Sequence, residues 1–411
     1  MMADYELFTL SNGIRVVYQP VTHTKIVHCG FILDIGSRDE NPHQQGLAHF
    51  WEHMAFKGTK KRRAFHIINR LESVGGELNA YTTKEKICFY ASVLDKYFES
   101  AIELLTDITF RSVFPGRQID NERKVILEEM AMYYDSPDDA IQDDFDELIF
   151  GKHQLGRNIL GNPQSVKSFK QTDFREFLDE HLNTDRIIFS CVGNLSIQKI
   201  RRLADKYLGS LPRFTGRTQR LHFDQYNPLR KSKERAVTQA HCGIGRSAFS
   251  LTDENRIPFF ILTNLLGGPA MNSRLNLNLR EKHGLVYAIE ASYTPYIDTG
   301  LFGIFFGTDP NQIDRSIAKV LGELKILRER PLGTLQLQRA KEQLIGQLAM
   351  AEENNMQLML MMGKSLLDLD TITAFDTLTA KIKSVSAARL QDLAKEMFSE
   401  NDLSILTFLP K

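Results

Sequence analysis

The sequence predicts an α+β protein of two homologous domains, each a mostly antiparallel sheet packed with helices. Three observations predict it. Strand-like runs are separated by short turns or by runs of helices, without the regular strand-helix alternation of a doubly wound parallel sheet. Two stretches of the chain echo each other at nearly one offset. Between them lies a polar, basic stretch punctuated by Pro212, Gly216 and Pro228, as a linker would be.

Each element follows from its periodicity. Alternation at Ile14-Arg15-Val16-Val17-Tyr18 and apolar runs at 26–35 and 87–93 read as strands. Segments at about 46–56, 65–74, 95–112 and 118–134 carry apolar residues at helical spacing. The echo starts at His28-Cys29-Gly30, followed by Asp39-Glu40-Asn41, which recurs as His241-Cys242-Gly243 followed by Asp253-Glu254-Asn255, an offset of 213 for the first element. It closes with Val166-Lys167-Ser168-Phe169 and Ile382-Lys383-Ser384-Val385, an offset of 216. A duplication accounts for two such similar offsets at opposite ends of a unit. The domains are accordingly expected at 1–212 and 236–411, with 213–235 as the linker.

The 411 residues, 42% of them hydrophobic, suffice for a large core and two domains. Fifty-one Lys plus Arg balance 51 Asp plus Glu, which leaves no electrostatic footprint for nucleic acid or an anionic membrane. The start, Met-Met-Ala-Asp-Tyr-Glu-Leu-Phe, has neither the basic nor the apolar region of a signal peptide, and no stretch approaches the roughly 18–20 apolar residues of a membrane span. The expected location is cytoplasmic. Cys29, Cys88, Cys191 and Cys242 sit widely spaced in apolar runs and read as buried, reduced thiols.

The chemistry concentrates in His49-Phe50-Trp51-Glu52-His53. On a helix His49 and His53 stand on one face a turn apart, close enough for two imidazoles to bind one metal ion. Glu52 lies at the edge of that face, where its carboxylate can reach a metal-bound water as general base without ligating. Zinc in a hydrolytic site needs a third protein ligand, and the helical segment at 118–134 offers Glu122, Glu128 and Glu129. Glu122 and Glu129 are two turns apart, roughly 10 Å in rise, so one can reach the ion and the other must serve a ligand from behind.

These residues carry a family resemblance. Gly46-Leu47-Ala48-His49 through Phe56-Lys57-Gly58-Thr59 resembles the active-site segment of the pitrilysin family of inverted-zincin metallopeptidases, in particular its mitochondrial-processing-peptidase-like branch. Glu122-Arg123-Lys124-Val125-Ile126-Leu127-Glu128-Glu129-Met130 fits that family's second element at the expected separation of 76 residues from His53. The resemblance implies a processing-peptidase-like metallohydrolase fold, Zn²⁺ held by His49, His53 and Glu129, and Glu122 behind the ligands. Gly75-Gly76-Glu77-Leu78-Asn79-Ala80-Tyr81-Thr82 looks like the family's active-site edge strand, onto which an extended peptide adds by backbone pairing. Arg280-Glu281-Lys282-His283-Gly284-Leu285-Val286-Tyr287 matches its Arg-x₆-Tyr element, which implies that Arg280 donates to a substrate carbonyl and Tyr287 stabilises an oxyanion. Gly267 to Arg274 resembles the glycine-containing segment before that element. Gln154 to Gly161 matches a family loop whose physical role the sequence does not reveal.

The expected function is a zinc endopeptidase acting on short or unfolded polypeptides in an enclosed chamber. Residues 1–212 would form the catalytic domain, and 236–411 a domain without metal ligands that contributes substrate-binding residues. The resemblance also implies pairing, as a homodimer or with a related inactive subunit. Two other readings compete: a non-catalytic partner subunit of the same fold, and a peptide-binding or chaperone-like module.

Overall fold

The structure, a computed structural model, describes residues 5–411. Its strands are β1 (Glu6–Thr9), β2 (Arg15–Pro20), β3 (Ile26–Leu33), β4 (Glu77–Thr82), β5 (Ile87–Leu94), β6 (Ile187–Gly193), β7 (Arg230–Arg235), β8 (Ala240–Ala248), β9 (Val286–Pro295), β10 (Gly300–Thr308) and β11 (Ser404–Pro410). Helices α1 (Leu47–Ala55), α2 (Ala64–Glu72), α3 (Phe98–Phe110), α4 (Gly116–Asp135), α5 (Pro137–Phe150), α6 (Pro163–Ser168), α7 (Gln171–His181) and α8 (Ile197–Tyr207) lie in the first half of the chain. The second half carries α9 (Arg256–Gly267), α10 (Ile313–Glu329), α11 (Thr334–Glu353), α12 (Asn355–Leu369), α13 (Phe375–Ser384) and α14 (Ala387–Met397).

The strands form two sheets, β1-β2-β6-β3-β5-β4 and β7-β11-β8-β10-β9. Without β1 the two orders are the same. Each sheet is antiparallel except for one parallel pair in the equivalent place, β2 with β6 and β7 with β11. The echoed tripeptides occupy equivalent positions: Cys29 pairs with Cys191 of β6 and Ala91 of β5, and Cys242 with Thr407 of β11 and Phe306 of β10. The two-domain α+β fold expected from the duplication is the one observed.

The central strands are buried on both faces, which is why they read as continuous apolar runs; every residue of β6 is buried. One face of the first sheet, with Phe31, Phe89 and Phe189, packs under α1, α3, α7 and α8. The other, with Val17, Ile32, Ile188 and Val192, is covered by Met359, Met362, Leu366 and Leu367 of α12. In the second sheet, Ile244, Phe302 and Ile304 face α9, α10 and α14. Phe305, Leu406 and Phe408 on its opposite face pack with Ile141, Phe145 and Leu148 of α5.

Each sheet is thus closed by a helix from the other half of the sequence. The compact units are not contiguous: one takes in the described residues up to 130, 157–220 and 350–375, the other 131–156, 221–349 and 376–411. The expected division at 212 and 236 does not follow them. Nor are residues 213–235 all linker, because Arg230–Arg235 form β7. That strand, Arg-Lys-Ser-Lys-Glu-Arg, carries no apolar alternation because it is an exposed edge, where charge opposes pairing with another chain. All four cysteines are buried and unpaired, as expected.

Candidate metal centre

The metal helix α1 is anchored by an apolar face: Leu47, Ala48, Phe50, Trp51, Met54 and Ala55 are all buried. That leaves His49, Glu52 and His53 along the side of the helix toward β4 and α4. The two imidazoles stand edge to face with centroids 4.6 Å apart. Glu129, on α4, brings its carboxylate to 3.7 Å from Nε2 of His49 and 3.5 Å from Nε2 of His53. Among the described residues these three are the group whose ligand atoms converge, all within 4.8 Å of one another.

Those spacings test the fit of a zinc ion. Ligand bonds of roughly 2.0–2.1 Å in tetrahedral geometry place donor atoms about 3.4 Å apart. The two His–Glu separations, each to a different oxygen of the Glu129 carboxylate, lie close to that edge length and are too long for hydrogen bonds. Two imidazoles and one carboxylate are also the donor set of an open hydrolytic zinc site. Burial, aided by the neighbouring His53, pushes the His49 imidazole down to about 3, so it is neutral and ready to ligate at neutral pH. Burial likewise raises the Glu129 carboxyl, against the pull of His53.

Glu122 lies two turns before Glu129 and is buried. Its Oε1 is 2.9 Å from Nδ1 of His53, and its Oε2 is 2.7 Å from Nζ of Lys57. An acceptor at Nδ1 keeps the proton there and leaves Nε2 with its lone pair toward the ion. Burial raises the Glu122 carboxyl, but the hydrogen bonds from His53 and Lys57 outweigh it, and the net shift is downward. Glu122 thus lies behind His53, one of the candidate ligands. Glu128 is not in the converging group.

Glu52 lies outside the converging group. Its Oε2 accepts a 2.6 Å hydrogen bond from Oγ1 of Thr82, the last residue of β4. Burial raises its carboxyl while the Thr82 hydroxyl opposes the rise, giving a carboxylate with enhanced proton affinity. β4 pairs with β5 along one side only and forms the edge of its sheet. Glu77, Leu78, Asn79, Ala80, Tyr81 and Thr82 thus lie on a free edge beginning beside the general-base candidate. Tyr81 itself packs against Tyr90 and Lys364.

Arg280 and Tyr287 belong to the second unit. Arg280 sits in a π-helical turn, Asn276–Lys282, and Tyr287 near the start of the edge strand β9. The guanidinium stands 5.7 Å from the centroid of the Tyr287 ring, which is 85% exposed. Both line a cavity of about 460 Å³ in that unit, with Gln142, Gln239, Glu290 and Phe305.

Two contacts escaped the sequence reading. Lys57 falls inside the segment that resembles the family, but beyond the end of α1, so helical spacing gives no sign that it returns to Glu122. Thr82 was expected only as a substrate-strand residue; its hold on Glu52 depends on where β4 ends relative to α1.

The chain is similar to known peptidases along nearly its whole length. The insulinase (peptidase family M16) model matches residues 15–163, and the peptidase M16 inactive-domain model matches residues 168–344. YmxG, an uncharacterized zinc protease of Bacillus subtilis, is 32% identical over 96% of each chain. An uncharacterized zinc protease of Streptomyces coelicolor is 33% identical over 97% of this chain and 88% of its own. In fold the chain is similar to a peptidase M16 inactive-domain structure from Pseudomonas fluorescens (TM-score 0.92, 16% identity, 100% and 99% of the two chains). It is equally similar to a Helicobacter pylori protease (TM-score 0.92, 19% identity, 99% and 100%). No described helix is long and apolar enough to cross a membrane. The chain belongs to peptidase family M16, the insulinase family, whose pitrilysin-type motifs its first half carries.

Proposed function

We propose that this protein is a zinc endopeptidase that hydrolyses short or unfolded polypeptides held extended along β4. The observation that carries the proposal is the convergence of His49, His53 and Glu129 at zinc-ligand spacing, with Glu52 beside them but outside the set. An ion held there supplies a Lewis acid that polarises the scissile carbonyl and makes water easier to deprotonate. His49 and His53 offer neutral nitrogens, and Glu129 supplies the one negative charge among the ligands. Glu52 takes the proton from the attacking water and returns it to the leaving amine. Thr82 orients the Glu52 carboxylate from the end of the strand on which the substrate lies. Backbone pairing on β4 selects extended chains rather than particular side chains. On the family resemblance, Arg280 donates to a substrate carbonyl and Tyr287 to the oxyanion. Pairing with a second copy or a related subunit, and a cytoplasmic location, belong to the same reading; mass in solution tests the first.

The decisive experiment is cleavage of a quenched unstructured peptide, with chelator blocking turnover and zinc restoring it. Glu52→Gln should abolish cleavage while zinc content stays stoichiometric. Zinc lost on Glu52→Gln with cleavage retained would overturn the assignment of roles, and peptide binding without turnover by the zinc-loaded protein would favour a peptide-binding module.

A further inference from the structure

His53 has Glu122 behind it, but His49 has no such partner: among the described residues its Nδ1 is buried without a hydrogen bond. The place of His49 is therefore set by the backbone of the first turn of α1. That turn is held by one side chain. The Glu40 carboxylate, 1% exposed, accepts from the backbone N–H of Gly46 at 2.9 Å through Oε2 and from that of Ala48 at 2.8 Å through Oε1. These are amide groups that a helix start otherwise leaves unpaired, and their two hydrogen bonds oppose the burial that pushes the Glu40 carboxyl up to about 8. Ala48 immediately precedes His49.

Glu40 is in turn fixed by the loop that follows α5, the part of the Gln154 to Gly161 motif without an assigned role. Nη1 of Arg157 donates to the Glu40 carbonyl at 2.5 Å, and the Arg157 carbonyl accepts from Nζ of Lys84 at 2.6 Å. Lys84 lies in the turn after β4, and its carbonyl accepts from the N–H of Arg38 at 2.7 Å. The loop and the helix start touch backbone to backbone. A Cβ on Gly161 would stand 2.1 Å from the Gln45 carbonyl oxygen, and one on Gly46 2.4 Å from that of Leu160; both glycines have left-handed φ, +78° and +93°. The Ser165 hydroxyl closes the contact on the Gln45 carbonyl at 2.6 Å.

We infer that Glu40, clamped by the Arg157 loop, is the positioning residue for His49, doing through the backbone what Glu122 does for His53 through its ring. The same clamp ties the start of the metal helix to the turn that ends the β4 edge. This inference rests on the zinc site proposed above.

The test is zinc affinity of the full-length protein, by competition with a chromophoric chelator, for wild type, Glu40→Gln, Arg157→Gln and Arg157→Lys, with thermal unfolding of the metal-free proteins alongside. Glutamine keeps the shape of Glu40 but has one acceptor oxygen, so one of the two N–H groups loses its partner. Glu40→Gln and Arg157→Gln should bind zinc about tenfold more weakly, in the range for groups that orient ligands, and Arg157→Lys should recover most of the loss. A capping role alone would lower the unfolding temperature and leave the affinity of the folded protein unchanged. Affinity within twofold of wild type in folded Glu40→Gln or Arg157→Gln overturns the clamp while leaving the zinc site standing. Should Glu40→Gln not fold, the half-buried Arg157 decides; if neither folds, the clamp is a folding element and the inference falls. A wild type that takes up no zinc overturns the site itself, and this inference with it.

Discussion

Replacing Glu122 by glutamine is the sharpest probe of how the ligands are held. The carboxylate accepts twice, from Nδ1 of His53 and from Nζ of Lys57, and is 6% exposed. Glutamine is nearly isosteric but offers one acceptor. With its oxygen toward His53, its amide hydrogens face the Lys57 ammonium. With its oxygen toward Lys57, its amide meets Nδ1, and the ring must carry its proton on Nε2, the nitrogen needed for the ion. Either orientation forfeits a hydrogen bond to a charged group, worth about 1.5–3 kcal/mol. At 1.4 kcal/mol per decade that is roughly a 10- to 150-fold loss of zinc affinity, overlapping the 10–100-fold typical of groups behind metal ligands. Chelator competition measures the affinity, and peptide cleavage at saturating zinc measures what remains once the ion is forced in. Cleavage should largely recover, since Glu52 and the ligands are intact. An affinity within twofold of wild type in a folded Glu122→Gln protein would refute the reasoning, as would lost turnover without weakened binding.

Other outcomes follow from the same contacts. Thr82→Val removes the hydroxyl that opposes the burial-driven rise of the Glu52 carboxyl, so Glu52 should protonate at higher pH and the acid limb of kcat/KM should move upward; an unmoved or lowered limb contradicts the role given to Thr82. Arg220→Ala takes from Asp39 its guanidinium partner at 2.8 Å and leaves Asp34, which it pairs at 2.9 Å, with Arg186 alone, and chemical denaturation should show a loss of about 3–5 kcal/mol; a loss under about 1 kcal/mol, that of an exposed pair, would mean water reaches the cluster. The metal-free protein should be acid-labile, because the His49 imidazole, at about 3 in the fold against 6.5 ordinarily, refuses a proton that the unfolded chain accepts. Its contribution is complete above pH 6.5 and is lost as pH falls toward 3, and His49→Gln should flatten that slope of unfolding temperature against pH.

The pieces of the candidate site were legible because they are local: spacing put His49, Glu52 and His53 on one helix and left Glu122, Glu128 and Glu129 open on another, and the family resemblance singled out Glu129. The duplication was legible because its echoes are short and local, His28-Cys29-Gly30 and His241-Cys242-Gly243 lying within the equivalent strands β3 and β8. What the sequence could not show is which sheet a helix covers. α5 and α12 stand at nearly equivalent places in the two halves, each with an apolar face, and nothing in Ile141, Phe145 and Leu148 or in Met359, Met362 and Leu366 says that each belongs on the other half's sheet. β7 was lost because an edge strand covered in charge lacks the alternation by which strands are found. Lys57 and Thr82 act through contacts whose sequence separations, 65 and 30 residues, carry no periodic signal.

The second half bears on whether the metal holds the fold together. Its sheet has the strand order of the first without β1, and α9 follows β8 as α1 follows β3. Yet α9 reads Arg-Ile-Pro-Phe-Phe-Ile-Leu-Thr-Asn-Leu-Leu-Gly and offers no histidine or carboxylate. The same scaffold is therefore closed by apolar packing alone, through Phe259, Leu262 and Leu266. In the first half α1 is seated in the same manner, by Phe50, Trp51 and Met54, and its ligands stand beside that seat. Zinc removal should consequently leave far-UV circular dichroism unchanged, unlike in small domains that unfold without their metal. The unfolding free energy should fall only by what linkage requires, about 2.7 kcal/mol for a protein held at one hundred times its zinc dissociation constant. Collapse of the helical signal on chelation would show instead that His49, His53 and Glu129 build the first domain as well as serve its chemistry.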